Sequence, residues 1–285
     1  MLALLVLFAI SGSLPINGVA AQGATPAATP ATGAQGDFSE TVDIGGRALY
    51  LTCQGAGTPT IVIDHGQGGS SRDMASLQRE FRRDSRVCLY DRAGQGRSNP
   101  LNTPLTAPRT AADVVADLHE LLQAAGVPGP YVLIGQSAGG VFVELYARTY
   151  PEEVAGVVSA NAVPPADPWL DQSAPFMTEQ ERADELAYYE GGDGAEDFDW
   201  NTSFAQLDAA AAPLDTPFLV LISTVAECES ADDICGRTHG VYEAVMQGLA
   251  AQWPHGEFMT VDGGHEIYLS PKAIFAMRSF IEAFR

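Results

Sequence analysis

Seven short apolar runs, with helix-like segments between most of the later ones, constrain the fold more than any other feature of this chain. They are ALYLTC (48–53), TIVIDHG (60–66), RVCLYD (86–91), YVLIG (131–135), VAGVVSA (154–160), PFLVLIS (217–223) and EFMTVDG (257–263). Each is rich in Val, Ile and Leu and almost unbroken in hydrophobicity, the pattern of a strand buried on both faces of a parallel sheet. Thr110 can cap a helix that places Val114, Leu118, Leu121, Leu122 and Ala125 on one stripe and stops at Gly126. Val241, Val245 and Leu249 mark a second helix ending before Pro254. Ser270 and Pro271 open a third that carries Ile274, Met277 and Ile281. Strand–helix alternation of this kind predicts an α/β protein with helices on both faces of the sheet.

The rhythm breaks between about residues 164 and 213. That segment holds no strand-like run. It has prolines, acidic residues, a helix expected from Thr178 with Glu181 placed for a capping box, and the acidic loop EGGDGAEDFDWN. An insertion of this length between two core strands predicts a lid or cap.

The first 36 residues carry no charged side chain. MLALLVLFAI is too short to span a bilayer, and VAA at 19–21 offers a cleavage site before Gln22, so residues 1–21 read as a signal peptide, although no Lys or Arg precedes the apolar core. Residues 22–36, rich in Ala, Thr, Pro and Gly, read as a flexible linker, and the folded domain is expected over 37–285. A secreted or extracytoplasmic location follows as an expectation. The formal net charge is −21 with a single lysine, Lys272. Such a surface repels phosphate backbones and anionic lipid, which argues against nucleic acid and against stable membrane association.

Within this frame one hydroxyl stands out. Gly135-Gln136-Ser137-Ala138-Gly139 joins a strand-like run to a helix-like run. A residue at the tip of so tight a turn is forced into an unfavourable backbone region, and the residues two before and two after must be small for the chain to pass. The turn lifts the Ser137 hydroxyl clear of the sheet. It also sets the Ala138 amide at a helix N-terminus, where an oxyanion would form. A serine needs a base. Of five histidines, His265 in VDGGHEIYLSP lies past the last strand-like run and downstream of the serine, in the chain order expected of a nucleophile-elbow hydrolase. The turn His65-Gly66-Gln67-Gly68-Gly69 supplies a second amide, that of Gln67, for the same oxyanion.

Taken together, DHGQGG (64–69), YDRAGQGRS (90–98), GQSAGG (135–140), YPEEVAGVV (150–158) and GGHEIYLSP (263–271) resemble the α/β-hydrolase fold family, and among its members the serine-nucleophile hydrolases with an HG oxyanion loop. The resemblance runs from about Asp37 to Arg285. It implies an eight-stranded, mostly parallel sheet, a cap inserted after the sixth strand and no cofactor; no His or Cys clustering at ligand spacing supports a metal. It assigns function to Ser137, His265 and the amides of Gln67 and Ala138, and a structural role to Asp91 and Arg92 in the turn after the fourth strand.

The acid of the triad departs from that pattern. One family position, after the sixth strand, is Asn161, which is no carboxylate; the other, after the seventh, falls on Ala226. Glu227 is one residue along and is the expected acid, with Asp232 or Asp233 as alternatives and Glu229 nearby. The four cysteines of an exported chain suggest disulfides, with three pairings open. Cys228 and Cys235 flank the acidic run, and a bridge there would hold the acid loop in one shape. The resemblance makes the strands of Cys53 and Cys88 neighbours, which pairs those two. The expected activity is cleavage of a small-molecule carboxylic ester through an acyl-enzyme. The alternatives are amide, C–C or peroxide chemistry on the same triad, or a non-catalytic binding protein with a decayed triad. The residues set neither the acyl and alcohol groups nor the oligomeric state.

Overall fold

The computed structural model describes residues 36–98, 108–191, 196–211, 215–224, 228–230 and 232–285. All seven apolar runs become strands: β2 (Ala48–Gln54), β3 (Thr60–Asp64), β4 (Arg86–Tyr90), β5 (Tyr131–Gln136), β6 (Val154–Ala160), β7 (Phe218–Ser223) and β8 (Gly256–Val261). An eighth, β1 (Phe38–Asp43), precedes them. Its sequence FSETVD is polar because it is an edge strand exposed over most of its length, so no apolar run marks it. The sheet order is β1-β2-β4-β3-β5-β6-β7-β8. The β1–β2 and β2–β4 pairs are antiparallel and the remaining pairs parallel. Cys53 and Cys88 face each other across β2 and β4 and are joined by a disulfide. The chain-entropy model gives a cross-link closing a loop of that size about 3.8 kcal/mol.

Two apolar layers cover the sheet. One packs α2 (Ala111–Ala124), α3 (Ala138–Thr149), α6 (Trp200–Ala209) and α7 (Ile234–Ala251) against one face. The other packs α1 (Ala75–Phe81) and α8 (Pro271–Glu282) against the opposite face. The α2 stripe is buried as its spacing predicts, and Thr110 closes a capping box with Asp113. Helix α7 begins at Ile234, well before Val241, because Asp233 caps it by accepting from the Gly236 amide at 2.7 Å.

Between β6 and β7 the chain leaves the sheet to form α4 (Ala166–Ser173), α5 (Glu179–Glu190) and α6. Among the described residues the insertion carries no strand, and Thr178 and Glu181 form the expected reciprocal cap of α5. Among the described residues no helix is long and apolar enough to cross a membrane. Residues 1–35, which include the signal-like segment and nearly all of the linker, lie outside the described residues, as does Glu227.

Candidate active site

Ser137 sits between β5 and α3 with φ 54° and ψ −121°, one of only two non-glycine residues at positive φ among the described residues. That conformation is strained, and the surroundings hold it. The Ser137 amide donates to the Ala160 carbonyl at 3.0 Å, and its carbonyl accepts from the Gly140 amide at 2.9 Å. A Cβ on Gly135 would collide with the Gly139 carbonyl, and one on Gly139 would lie 2.5 Å from the Asp64 carbonyl oxygen. The two glycines are therefore what allows β5, α3 and the end of β3 to meet at the serine.

The loop after β3 lies directly against this turn. A Cβ on Gly66 would fall 2.5 Å from Gln136 Oε1 and 3.4 Å from Ser137 Cβ. Among the described residues no acceptor takes the main-chain N–H of Gln67 or Ala138. The Gln67 side chain is occupied: its Nε2 donates to the Glu196 carbonyl at 2.7 Å, and its Oε1 accepts from the Tyr188 hydroxyl at 3.3 Å.

A buried ionic network underpins the loop. Arg92 is 1% exposed and bonds Asp64, the His65 carbonyl (2.7 Å) and the Gly66 carbonyl (2.8 Å). Its Nε and Nη2 each donate to Glu196 at 2.6 Å, and Glu196 also accepts from the Gly68 amide at 2.9 Å. The guanidinium lies 5.2 Å from the centre of the Phe142 ring and 5.9 Å from that of Phe198. Burial pushes the Asp64 carboxyl up to about 6 against the pull of Arg92 and of the Tyr90 hydroxyl. Burial also drives His65 well below the usual histidine range, with Arg92 adding to the effect, which leaves the ring neutral. Arg92 thus does more than hold its own turn: it ties the loop after β3 to Glu196, within the acidic loop of the cap. The sequence gives no local sign of this, because Glu196 is one acid among many.

His265 follows β8 and lines the same cavity as Ser137, with no hydrogen bond between the two side chains. Apo sites often leave such a gap. His265 is exposed by surface area, yet partial desolvation of its ring lowers its pKa, and neighbouring Glu266 opposes the shift. The residue's main chain is held from below. Asn161, at φ 44°, donates to the carbonyls of Gly264 (3.4 Å) and His265 (3.3 Å), while its Oδ1 accepts from the Ser223 amide at 2.8 Å. At the position where the resemblance leads one to expect a carboxylate, an amide instead fastens β6 to the end of β7 and to the histidine loop.

No carboxylate bonds the His265 ring among the described residues. The favoured acid, Glu227, lies outside them. Asp232 is exposed. Asp233 has both oxygens engaged, by the Gly236 and Ser230 amides at 2.7 Å each, and these bonds hold its carboxyl below the usual range. Cys228 and Cys235 are joined by a disulfide across that loop, which starts one residue after Glu227.

The cavity measures about 380 Å³ and lies between the sheet and the cap, with α4, α5 and α7 contributing to its wall. Among the aromatic residues of the insertion, Trp169, Tyr188 and Tyr189 line it. Trp200 is instead fully buried and stacked on Phe142, and Phe176 is 48% exposed. Glu185 and His239 also line the cavity, although their spacing in the sequence does not single them out.

Residues 59–191 match the family model described as alpha/beta hydrolase fold. The uncharacterized protein YqjL of Bacillus subtilis is 33% identical over 140 residues, 49% of this chain and 51% of that protein. An AB hydrolase superfamily protein of Gibberella zeae is 31% identical over 100 residues, 35% of this chain and 30% of that one. The chain thus spans about half the length or less of the curated relatives it matches. Among solved structures, VinJ superposes with a TM-score of 0.61 over 87% of this chain and 99% of its own, at 20% identity. The sheet order, the match over residues 59–191 and the likeness over most of the chain identify a protein of the α/β-hydrolase fold.

Proposed function

We propose that the protein is a secreted serine hydrolase that cleaves carboxylic esters through an acyl-enzyme. The observation that carries the reading is Ser137: a strained, glycine-flanked hydroxyl at a helix N-terminus, opening on a cavity that His265 shares. Ser137 Oγ attacks the ester carbonyl as His265 takes its proton, and the carbonyl oxygen gains the negative charge. The amides of Gln67 and Ala138 hold that oxygen; one such donor typically contributes about 2.7–4 kcal/mol to transition-state stabilisation. The intermediate collapses, His265 returns the proton to the departing alcohol, and water repeats the sequence to release the acid. Glu227 orients the imidazolium in this account. The neutral side favoured for His265 by partial desolvation suits a general base.

The test is turnover of p-nitrophenyl esters of increasing acyl length by the mature protein beside Ser137→Ala. Turnover lost in the variant upholds the reading. Turnover equal in both proteins overturns it, and none in either, with folded protein, points to a binding protein on this fold.

A further inference from the structure

We infer that the cavity beside Ser137 receives a cationic ammonium group of the substrate, with Glu185 as its counter-charge and Trp169, Tyr188 and Tyr242 as its aromatic wall. The chemistry of this inference rests on the hydrolase reading, while the cation site itself does not require turnover.

The argument begins with the donors. The Trp169 indole N–H is given to Glu185 Oε1 at 2.5 Å. The Tyr242 hydroxyl is given to the Ala162 carbonyl at 2.8 Å, that of Tyr189 to the Pro164 carbonyl at 2.8 Å, and that of Tyr188 to Gln67. The polar hydrogens of the aromatic wall are thus all committed to protein acceptors, and what these rings can still offer a ligand is π-surface. No Lys or Arg lines the cavity among the described residues. An anionic substrate group would meet a carboxylate and ring faces over most of the wall, the donors being confined to the imidazoles of His239 and His265, the Asn161 amide, the hydroxyls of Ser137, Ser223 and Thr238, and the main-chain amides beside the serine. A cation meets the opposite situation. Ring quadrupoles attract it, and a desolvated carboxylate completes the site.

Glu185 itself supports this direction. It is half-buried on α5, and among the described residues Trp169 is its sole hydrogen-bond partner and no basic side chain pairs with it. Burial raises its pKa, with the Trp169 bond offsetting part of the effect. A carboxylate left half-buried without a cation carries an unpaid desolvation cost, and a bound ammonium would relieve it. Trp169 and Tyr242 meet edge to face with centroids 6.2 Å apart, so the indole that holds Glu185 is itself braced by α7. The chain's net charge of −21 raises the local concentration of any cationic substrate before it reaches the cavity.

An isosteric pair of substrates tests the inference at pH 8: butyrylcholine against 3,3-dimethylbutyl butyrate, which differ by a quaternary nitrogen in place of a quaternary carbon. We expect kcat/KM for the cationic ester to exceed that of the neutral one about tenfold or more, and the ratio to fall close to one in Glu185→Gln. A wild-type ratio at or below one overturns the inference, as does a ratio that Glu185→Gln does not change; if that variant does not fold, the wild-type ratio decides alone. Calorimetric titration of Ser137→Ala with choline and with 3,3-dimethylbutanol separates this inference from the hydrolase reading. Tighter binding of choline upholds the cation site even if neither ester turns over, and equal or absent binding of choline overturns it even if both do.

Discussion

In the proposed reaction Ser137 and His265 divide the chemistry at the residue scale, and each would leave a measurable mark. His265 must be neutral to accept the serine proton. Partial desolvation depresses its pKa, so the neutral form persists to lower pH than for a free imidazole. Activity is then present above the limb and lost as pH falls through it, and the acid limb of kcat/KM lies below the ordinary histidine value of 6.5. A limb above 6.5, measured on an ester whose own ionisation is silent, contradicts that assignment. The acid is resolved by contrasting two variants. Glu227→Gln removes the carboxylate proposed to orient the imidazolium and is expected to lower kcat by up to about 10⁴-fold. Asp233→Ala removes the α7 cap, lowers the denaturant midpoint and leaves turnover per active site within about threefold. The reverse pattern in steady-state kinetics and denaturant midpoints would transfer the role to Asp233.

At the scale of elements, the cap and the oxyanion loop are fastened through one side chain. Glu196 lies in the acidic loop of the cap insertion, yet its carboxylate receives two bonds from Arg92 and one from Gly68, beside the residue whose amide would hold the oxyanion. Glu196 is a positioning residue in this account. Glu196→Gln keeps the shape and removes the charge, and kcat per titrated serine is expected to fall about tenfold with KM little changed. Partial unfolding alone would reduce the number of titratable serines and leave turnover per serine intact, so the two effects separate in one assay.

This element also marks the limit of what the sequence discloses. The strands, the elbow and the Thr178 cap are legible because their causes are local: hydrophobic period, glycines two residues either side of the serine, a hydroxyl three before a glutamate. The Arg92–Glu196 pair spans 104 residues, and nothing in AEDFDWN distinguishes the buried acid from its half-buried neighbours. The same holds for Glu185, whose partner is the indole of another helix, and for Asn161, whose latch on the histidine loop closes over 104 residues. Strand β1 escapes for the opposite reason, since its edge position demands no apolar pattern.

For the molecule as a whole, two disulfides, an acidic surface and an apolar, uncharged N-terminal segment agree on one environment. We propose that the chain is exported and processed after Ala21. N-terminal sequencing of protein recovered from the medium or periplasm of an expressing bacterium is expected to begin at Gln22, and an unprocessed N-terminus on that protein contradicts the proposal. The central claim concerns a single atom, and the direct measurement is covalent labelling of the folded protein with a fluorophosphonate, followed by mass spectrometry of its peptides. The account predicts one adduct per chain, on Ser137, absent after His265→Ala and after Ser137→Ala. Folded protein that acquires no adduct, or carries it on another residue, contradicts the account.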